Sequence, residues 1–342
     1  MENLLSRQSH RQRPVRFGFL LLPNFSLLGF SSAVEPLRMA NWISGQTLYE
    51  YVTLSHDGLS VAASVGSTMQ VDFSLQNQPP LDMLLVCGAS PIAKTGHDAV
   101  ISWLRGYGKR LPAVGGIGTG SYLLAKAGLL DGAKATIHWW DLNHLREAFP
   151  NTRLTTNLFE IDRNRFTCSG GTAAMDMMLY VIGQQHGLDL AAAISEQFVC
   201  ERIRSHEDPQ RVPLKSRLGV AQPKLIEAVT LMEANVEEPL SPDDLAMHVG
   251  VSRRHLERLF KKHLDTVPSK FYLELRLERA RQMLQQTDKS VVQVGLACGF
   301  SSASHFSTTY RNHFGITPRE ERNNRTRPGG MGFSVELASD RR

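Results

Sequence analysis

The chain has few cysteines and no long apolar run. Cys87, Cys168, Cys200 and Cys298 lie far apart and form no C-x-x-C pair, which argues against both a disulfide framework and a zinc finger. A reducing compartment, the cytoplasm, is the expectation. No segment approaches the roughly 20 apolar residues that span a bilayer. The N-terminus imitates a secretion signal, because Arg7, Arg11, Arg13 and Arg16 precede the apolar stretch Phe17 to Leu22. Pro23 and Asn24 end that stretch and no A-x-A site follows, so neither export nor a membrane partner is expected. Charge of one sign is also scarce: 38 Lys and Arg face 33 Asp and Glu, a net +5 over 342 residues. With 42% hydrophobic and 21% charged residues, the composition is that of a globular protein of about two domains.

The charge is unevenly placed. Residues 227 to 244 hold six acids and no Lys or Arg, whereas 253 to 281 hold nine Lys and Arg against four acids. A repeated pattern brackets the basic stretch. Leu245-Ala246-x-x-Val249-Gly250-Val251-Ser252 leads into Leu256 and Phe260, and Val294-x-x-Ala297-Cys298-Gly299-Phe300-Ser301 leads into Phe306 and Tyr310. In each copy a small residue lets two helices pack closely, a Gly permits a positive-φ turn and a Ser caps the next helix. One extra residue after the second Gly shifts the apolar positions but keeps their i,i+4 spacing. Each copy reads as a helix-turn-helix, and two in one chain can read successive turns of duplex DNA without dimerising.

Upstream, short apolar runs alternate with helical patterns. Val15 to Leu22, Leu81 to Cys87 and Leu111 to Val114 read as central parallel strands, with Tyr49 to Leu54, Val61 to Val65 and Phe166 to Ser169 as further strands. Helices are expected after the first strand, near Asp98 to Gly106, after Gly120 and from Thr172 to Gln185. The expected fold class is α/β: a flavodoxin-like, mainly parallel sheet domain over 15–200, then an all-α domain over 223–322. Residues 201–222 are polar and proline-bearing and read as a linker. Stretches 1–14 and 323–342 lack periodicity and read as disordered. Ser241-Pro242-Asp243-Asp244 supplies an N-cap, a first-turn Pro and two acids to one helix, and Leu273, Leu277, Ala280 and Leu284 define a long helix joining the two readers.

The double reader, its linking helix and the closing Phe314-Gly315-Ile316-Thr317-Pro318 resemble the AraC/XylS family of bacterial transcription regulators over about a hundred residues. That resemblance implies recognition helices over Ser252 to His263 and Ser302 to Phe314. Periodicity buries Leu256, Leu259 and Phe260, leaving Arg254, Glu257, Arg258 and Lys261 outward. Arg254 or Arg258 can pair with guanine O6 and N7, Glu257 can accept from a cytosine amine, and Lys261 suits a phosphate. A solvated helix face is the simpler alternative for any one of them. In the second helix the outward set is Ala303, Ser304, His305 and Thr308, with Arg311 toward the DNA backbone. This set is small and weakly charged, so less affinity through base contacts is expected of it.

Gly118-Thr119-Gly120-Ser121 through Ile137-His138-Trp139, with the strands before it, resembles the elbow region of the DJ-1/PfpI, or class I glutamine amidotransferase-like, fold over residues 15 to 200. Enzymatic members of that family carry a Cys at the elbow, where strain and a helix N-terminus favour the thiolate. Here Gly118 stands there, and the covalent step lacks its side chain. Ser121 and His138 are the remaining candidates for catalysis, without triad spacing. A non-enzyme is expected, and an amidohydrolase or amidotransferase is the alternative. A ligand site is expected instead. Gly118, Thr119 and Gly120 offer backbone N–H groups to a carboxylate, Trp139 or Trp140 a ring face to a cation, and Glu35 a negative charge; His138 lies beside them. On a strand, at most one of the two tryptophans faces that site.

Segments such as Val34-Glu35-Pro36-Leu37-Arg38, Ile161 to Thr167 and Glu201-Arg202-Ile203-Arg204 resemble the regulator subgroup that controls glycine betaine, carnitine or arginine catabolism. The resemblance implies a transcription activator whose partners are double-stranded promoter DNA, RNA polymerase and a small-molecule effector. A quaternary ammonium compound is the first choice of effector and arginine or another amine the second. A homodimer through the sensor half is open. No cofactor and no metal site are expected.

Overall fold

The computed structural model describes residues 13–88, 97–211, 214–219, 221–287 and 289–324. The stretches expected to be disordered therefore lie almost entirely outside the described residues. Arg13 and the last helix are the exceptions. Contacts divide the chain into two compact units, Met1–Arg211 and Val212–Arg342.

The first unit runs β1 (Val15–Leu21), α1 (Leu27–Ser44), β2 (Tyr49–Ser55), β3 (Val61–Ala62), β4 (Thr68–Met69), β5 (Phe73–Ser74), β6 (Met83–Cys87), α2 (Asp98–Gly106), β7 (Ala113–Ile117), α3 (Gly120–Lys126), β8 (Lys134–Ala135), α4 (Leu142–Ala148), β9 (Arg153–Leu154), β10 (Phe159–Asp162), β11 (Arg165–Cys168), α5 (Ala173–His186) and α6 (Leu188–Gln197). Seven strands form one sheet in the order β10-β11-β7-β6-β1-β2-β5. Only the β10–β11 pair is antiparallel.

The apolar runs dictate this arrangement, because a strand apolar on both faces must be covered on both. Phe17, Phe19 and Leu21 of β1 pack with α1, α5 and α6. Leu20 of β1, with Leu84 and Val86 of β6, packs with α2, α3 and α4 on the other side. Arg13, expected in a disordered tip, is tied to this sheet by two 2.9 Å hydrogen bonds to the Asp82 carboxylate.

Three expectations need correction. Val61 to Val65 does not join the main sheet; only Val61–Ala62 is extended, in a two-stranded ribbon with β4. Trp139 and Trp140 are not strand neighbours, because β8 ends at Ala135 and both lie in the turn before α4. The segment 201–222 is not a free linker over its first half, since residues 202–211 are tied down on the first unit. Arg204 donates to both oxygens of Asp176 through its backbone N at 2.8 Å, Nε at 3.0 Å and Nη2 at 2.6 Å. His206 O accepts from Leu158 N at 2.9 Å, and Pro209 bridges Asn157. The physical cause is a buried carboxylate: Asp176 sits inside α5 and requires charged and polar donors.

The second unit comprises α7 (Leu214–Arg217), α8 (Pro223–Ala234), α9 (Pro242–Val249), α10 (Arg253–Leu264), α11 (Pro268–Gln286), α12 (Val291–Ala297), α13 (Ala303–Phe314) and α14 (Pro318–Asn324). Ser241, Ser252, Ser290 and Ser302 each accept a backbone N–H at a helix start. The turns between α9 and α10 and between α12 and α13 carry Gly250 at φ 71° and Gly299 at φ 74°. Leu256 and Phe260 are wholly buried under α8 and α9 in one core, Phe306 and Tyr310 against α11 and α12 in another.

Arg276 of α11 clamps the second turn, donating to Cys298 O at 2.8 Å and Gly299 O at 2.6 Å. Buried Glu321 of α14 accepts from Tyr310 Oη at 3.1 Å and Gln285 Nε2 at 2.7 Å. The last helix thus closes the second reader and runs to Asn324, two residues past the expected boundary; the rest of the expected tail lies outside the described residues.

Candidate functional site

On α10, Arg254, Arg258 and Lys261 are exposed and Glu257 is half-buried, opposite the buried Leu256, Leu259 and Phe260. The acid is engaged: Glu257 Oε1 accepts from Arg253 Nε at 3.0 Å, and Arg253 also reaches Asp243 Oδ2 at 3.1 Å. Arg258 Nη2 lies 3.1 Å from His255 Nδ1, and Lys261 Nζ is 2.5 Å from Asp265 Oδ1. These are solvent-facing pairs, each worth little in water and easily exchanged for a phosphate or a base. On α13, Ser304, His305, Thr308 and Arg311 are exposed above Phe306 and Tyr310. Arg311 is the only one of the four with a permanent charge, so the asymmetry between the two helices persists in three dimensions.

In the first unit the chain leaves β7 and turns sharply at Gly118, whose φ is +56°. A Cβ there would have room, the nearest atoms being Gly170 Cα at 3.7 Å and Ser169 O at 3.8 Å. Glycine adopts this left-handed turn without strain, and it leaves no nucleophile there. Thr119 and Gly120 carry the chain into α3, and Gly120 is pressed against β6, where a Cβ would come within 2.0 Å of Val86 O. Ser121 Oγ is fully buried and has no hydrogen-bond partner among the described residues. Cys87 and Cys168 flank the elbow on the neighbouring strands, both opposite Ile117. Burial pushes the Cys168 thiol up to about 11 and the Cys87 thiol higher still. Neither supplies a thiolate near neutral pH.

Glu35 is paired on its own helix. Nearer the start of α1, a Cβ on Gly29 would lie 3.1 Å from Ile117 Cγ2 of β7. Glu35 lies six residues further along the helix and holds Arg38 at 2.8 Å.

The aromatic group lies in the turn before α4. His138 and Trp139 have ring centroids 5.3 Å apart, and Trp139 and Trp140 meet edge to face at 5.2 Å. Burial lowers the His138 pKa, so its ring is neutral at neutral pH. Two residues that the sequence does not single out complete this turn. The Arg211 guanidinium sits 4.7 Å over the Trp139 ring. Asp141 is 5% exposed, its carboxyl has no hydrogen-bond or ion-pair partner among the described residues, and desolvation pushes that carboxyl up to about 7. Only the position of Asp141 directly after the Trp pair could draw attention to it; nothing in the sequence places Arg211 on Trp139.

Among the described residues no group of three His, Cys, Asp or Glu could hold a metal, and no helix is long and apolar enough to cross a membrane. Hollows of about 460 Å³ beside Arg16 and Tyr49, and about 280 Å³ beside Lys134 and Arg153, include none of the expected ligand residues in their linings.

Comparison with known proteins agrees with this division. The DJ-1/PfpI family matches residues 17–184 and a Helix-turn-helix domain matches residues 245–324. The HTH-type transcriptional regulator GbdR of Pseudomonas aeruginosa is 53% identical over 311 residues, covering 91% of this chain and 85% of that protein. The HTH-type transcriptional regulator CdhR of Pseudomonas aeruginosa is 48% identical over 306 residues, 90% of this chain and 91% of that one. The crystal structure of a THiJ/PfpI family protein from Pseudomonas syringae shares the fold at a TM-score of 0.50 and 20% identity, over 65% of this chain and 87% of that one. With two capped helix-turn-helices in one unit and a mainly parallel sheet in the other, the chain belongs to the family of transcription regulators that join a DJ-1/PfpI domain to an AraC-type DNA-binding domain.

Proposed function

We propose that the protein is a cytoplasmic, effector-controlled transcription activator that reads promoter DNA chiefly through α10. The observation that carries this reading is the division of α10, with Leu256 and Phe260 wholly buried and Arg254, Arg258 and Lys261 exposed along one face. Such a face carries the two elements of groove recognition: guanidinium forks for base edges and an ammonium for the phosphates. Helix α13, with Ser304, His305, Thr308 and Arg311, then fixes register and orientation. RNA polymerase is the partner through which activation is exerted, and a second copy of the chain joins through the first unit.

Arg258→Ala should weaken specific DNA binding by about 1 to 3 kcal/mol. The measurement is fluorescence anisotropy at fixed salt, on an operator fragment selected from random sequence by the unaltered protein. Fixed salt is essential, because phosphate contacts alone make affinity salt-dependent. An unchanged isotherm would remove Arg258 from the reading face.

The first unit acts as a sensor and not as an enzyme. Gly118 has no nucleophilic side chain, Ser121 is buried without a base, and the flanking thiols are held protonated by burial. The effector is an organic cation, a quaternary ammonium compound such as carnitine or glycine betaine, recognised at the Trp139–Trp140 turn, with the backbone of Thr119 and Gly120 directed to its carboxylate, since the Gly118 N–H expected there already donates to Cys168 O at 3.0 Å. Asp141, rather than the paired Glu35, is the counter-charge that its burial and lack of a partner favour. The guanidinium over Trp139 favours arginine as the second reading. A thermal-shift series with betaines, carnitine and amino acids distinguishes them, since a ligand selective for the folded state raises its apparent stability.

A further inference from the structure

The residues that lead out of the first unit are fastened to the same turn that carries the tryptophans. Gln210 inserts its side-chain amide between two loops, with Nε2 at 2.8 Å from Thr136 Oγ1, 3.0 Å from Ile137 O and 2.7 Å from Asn157 O. The next residue, Arg211, lays its guanidinium over Trp139. It is also the last residue of the first unit; the second begins at Val212. The cation over the aromatic ring is thus covalently joined to the connection between sensor and reader.

We infer that Arg211 is a tethered competitor of the effector: it occupies the Trp139 ring face in the resting protein, and an incoming organic cation displaces it and frees the connection to the DNA-binding unit. This rests on the reading of the Trp139 turn as a cation site.

The chemistry of the exchange is symmetrical. A guanidinium and a quaternary ammonium are both weakly hydrated cations that an aromatic face attracts through its quadrupole, so one replaces the other without a change in net charge at the ring. Tethering sets the balance between them. A side chain held a few ångströms away by Gln210 returns to the ring at high effective concentration, so only an effector with additional contacts outcompetes it. Asp141, two residues after Trp139, is the buried carboxyl assigned to one such contact.

The strap is also fastened imperfectly. Gln210 Oε1 is buried and accepts nothing among the described residues, an unmet polar group that lowers the cost of release. Once Arg211 leaves the ring, Gln210 is the remaining hold at the end of the strap, and with its Oε1 unmet it releases more readily. The ligand therefore acts on the length of the connection, and it shifts the equilibrium because it binds only the released state.

The test uses the full chain with Arg211→Ala, Arg211→Lys and Trp139→Leu. Tetramethylammonium, glycine betaine and arginine are titrated against each and followed by calorimetry, and hydrogen exchange is measured at the amides of 205–211. In the unaltered protein each bound probe should accelerate exchange across 205–211. Arg211→Ala should bind tetramethylammonium about two- to fivefold more tightly, the factor expected for losing an exposed cation–aromatic competitor, and should show fast exchange without ligand. Arg211→Lys should fall between the two.

Trp139→Leu should lose the probes and also release the strap. Wild-type affinity and exchange in Arg211→Ala, alongside lost binding in Trp139→Leu, would overturn the tether and leave the cation site standing. Undiminished binding in Trp139→Leu, or no binding of any probe to the unaltered protein, would overturn the cation site and the tether together. Preference for glycine betaine over arginine assigns the effector to the ammonium class, and the reverse to the guanidinium class.

Discussion

Asp141→Asn should stabilise the first unit by about 4 kcal/mol at about pH 8.5 and change it little at about pH 4. The carboxyl is 5% exposed and has no partner among the described residues, and its pKa is raised from the ordinary 3.8 to about 7 by desolvation alone. Below about pH 4 it is protonated whether the chain is folded or not, and it adds no pH dependence. Between about 4 and 7 the folded protein keeps a proton that the unfolded chain has released, so stability falls as pH rises through that window. Above 7 the full penalty is present. Each tenfold change in the protonation equilibrium is worth about 1.4 kcal/mol, and the rise from 3.8 to about 7 spans about three of them.

Asparagine is close in shape and never ionises, so it removes the titration without emptying the site. For a unit of this size the gain corresponds to about 8 to 16 °C in Tm. Thermal melts at several pH values, read on tryptophan fluorescence, measure it. A stabilisation independent of pH would show that Asp141 is solvated or paired, and the buried-charge account would be abandoned. The same penalty carries functional weight: a protein rarely retains so costly a group without a use for its charge. A cation bound beside it would lower its pKa, so effector-induced stabilisation should grow from about pH 5 to pH 8.

What can be read in advance from the residues follows how local the determining interactions are. The caps at Ser241 and Ser252, the turn glycines and the buried pairs Leu256 with Phe260 and Phe306 with Tyr310 act within one or two helical turns, and their spacing is legible. The apolar runs of β1, β6 and β7 are legible for a related reason, since burial on both faces leaves Arg16, near the start of β1, as the one charged position in them.

The first unit is legible only in part. Residues 201–211 are polar, and polarity reads as a linker; the segment is held instead by Asp176, Thr136 and Asn157, between 28 and 74 positions away. No local pattern announces partners so distant. Trp139 and Trp140 follow a two-residue strand too short to show alternation, so their placement in a turn is hidden. Glu35 looks available from its place in α1, whereas its carboxylate is paired with Arg38 one turn on, at 2.8 Å. Gly118 is readable as a missing nucleophile from the motif alone; its positive φ is what the three-dimensional structure adds.

Arg204→Ala should cost the first unit about 3 to 5 kcal/mol, at the lower end because one donor survives. Asp176 has a side chain 2% exposed, and its two oxygens accept from Arg204 N, Nε and Nη2. The same Nη2 also reaches Thr172 Oγ1 at 2.8 Å. Alanine leaves the backbone N–H in place and removes the guanidinium, so a buried carboxylate loses its counter-charge and most of its hydrogen bonds. The expected fall in Tm is about 6 to 12 °C.

A second substitution separates the stranded charge from lost packing. Asp176→Asn in the Arg204→Ala background should recover much of the loss, because the group left behind is then neutral, and the double-mutant cycle gives the coupling directly. A loss below about 1 kcal/mol would class the pair with solvent-screened surface ion pairs. The consequence for regulation is separable by hydrogen exchange. Arg204 anchors the strap near its start and Gln210 near its end, so Arg204→Ala should loosen 201–206 while Gln210 still holds 209–211. Uniform fast exchange from 201 to 211 would instead make the strap one cooperative element, released as a whole.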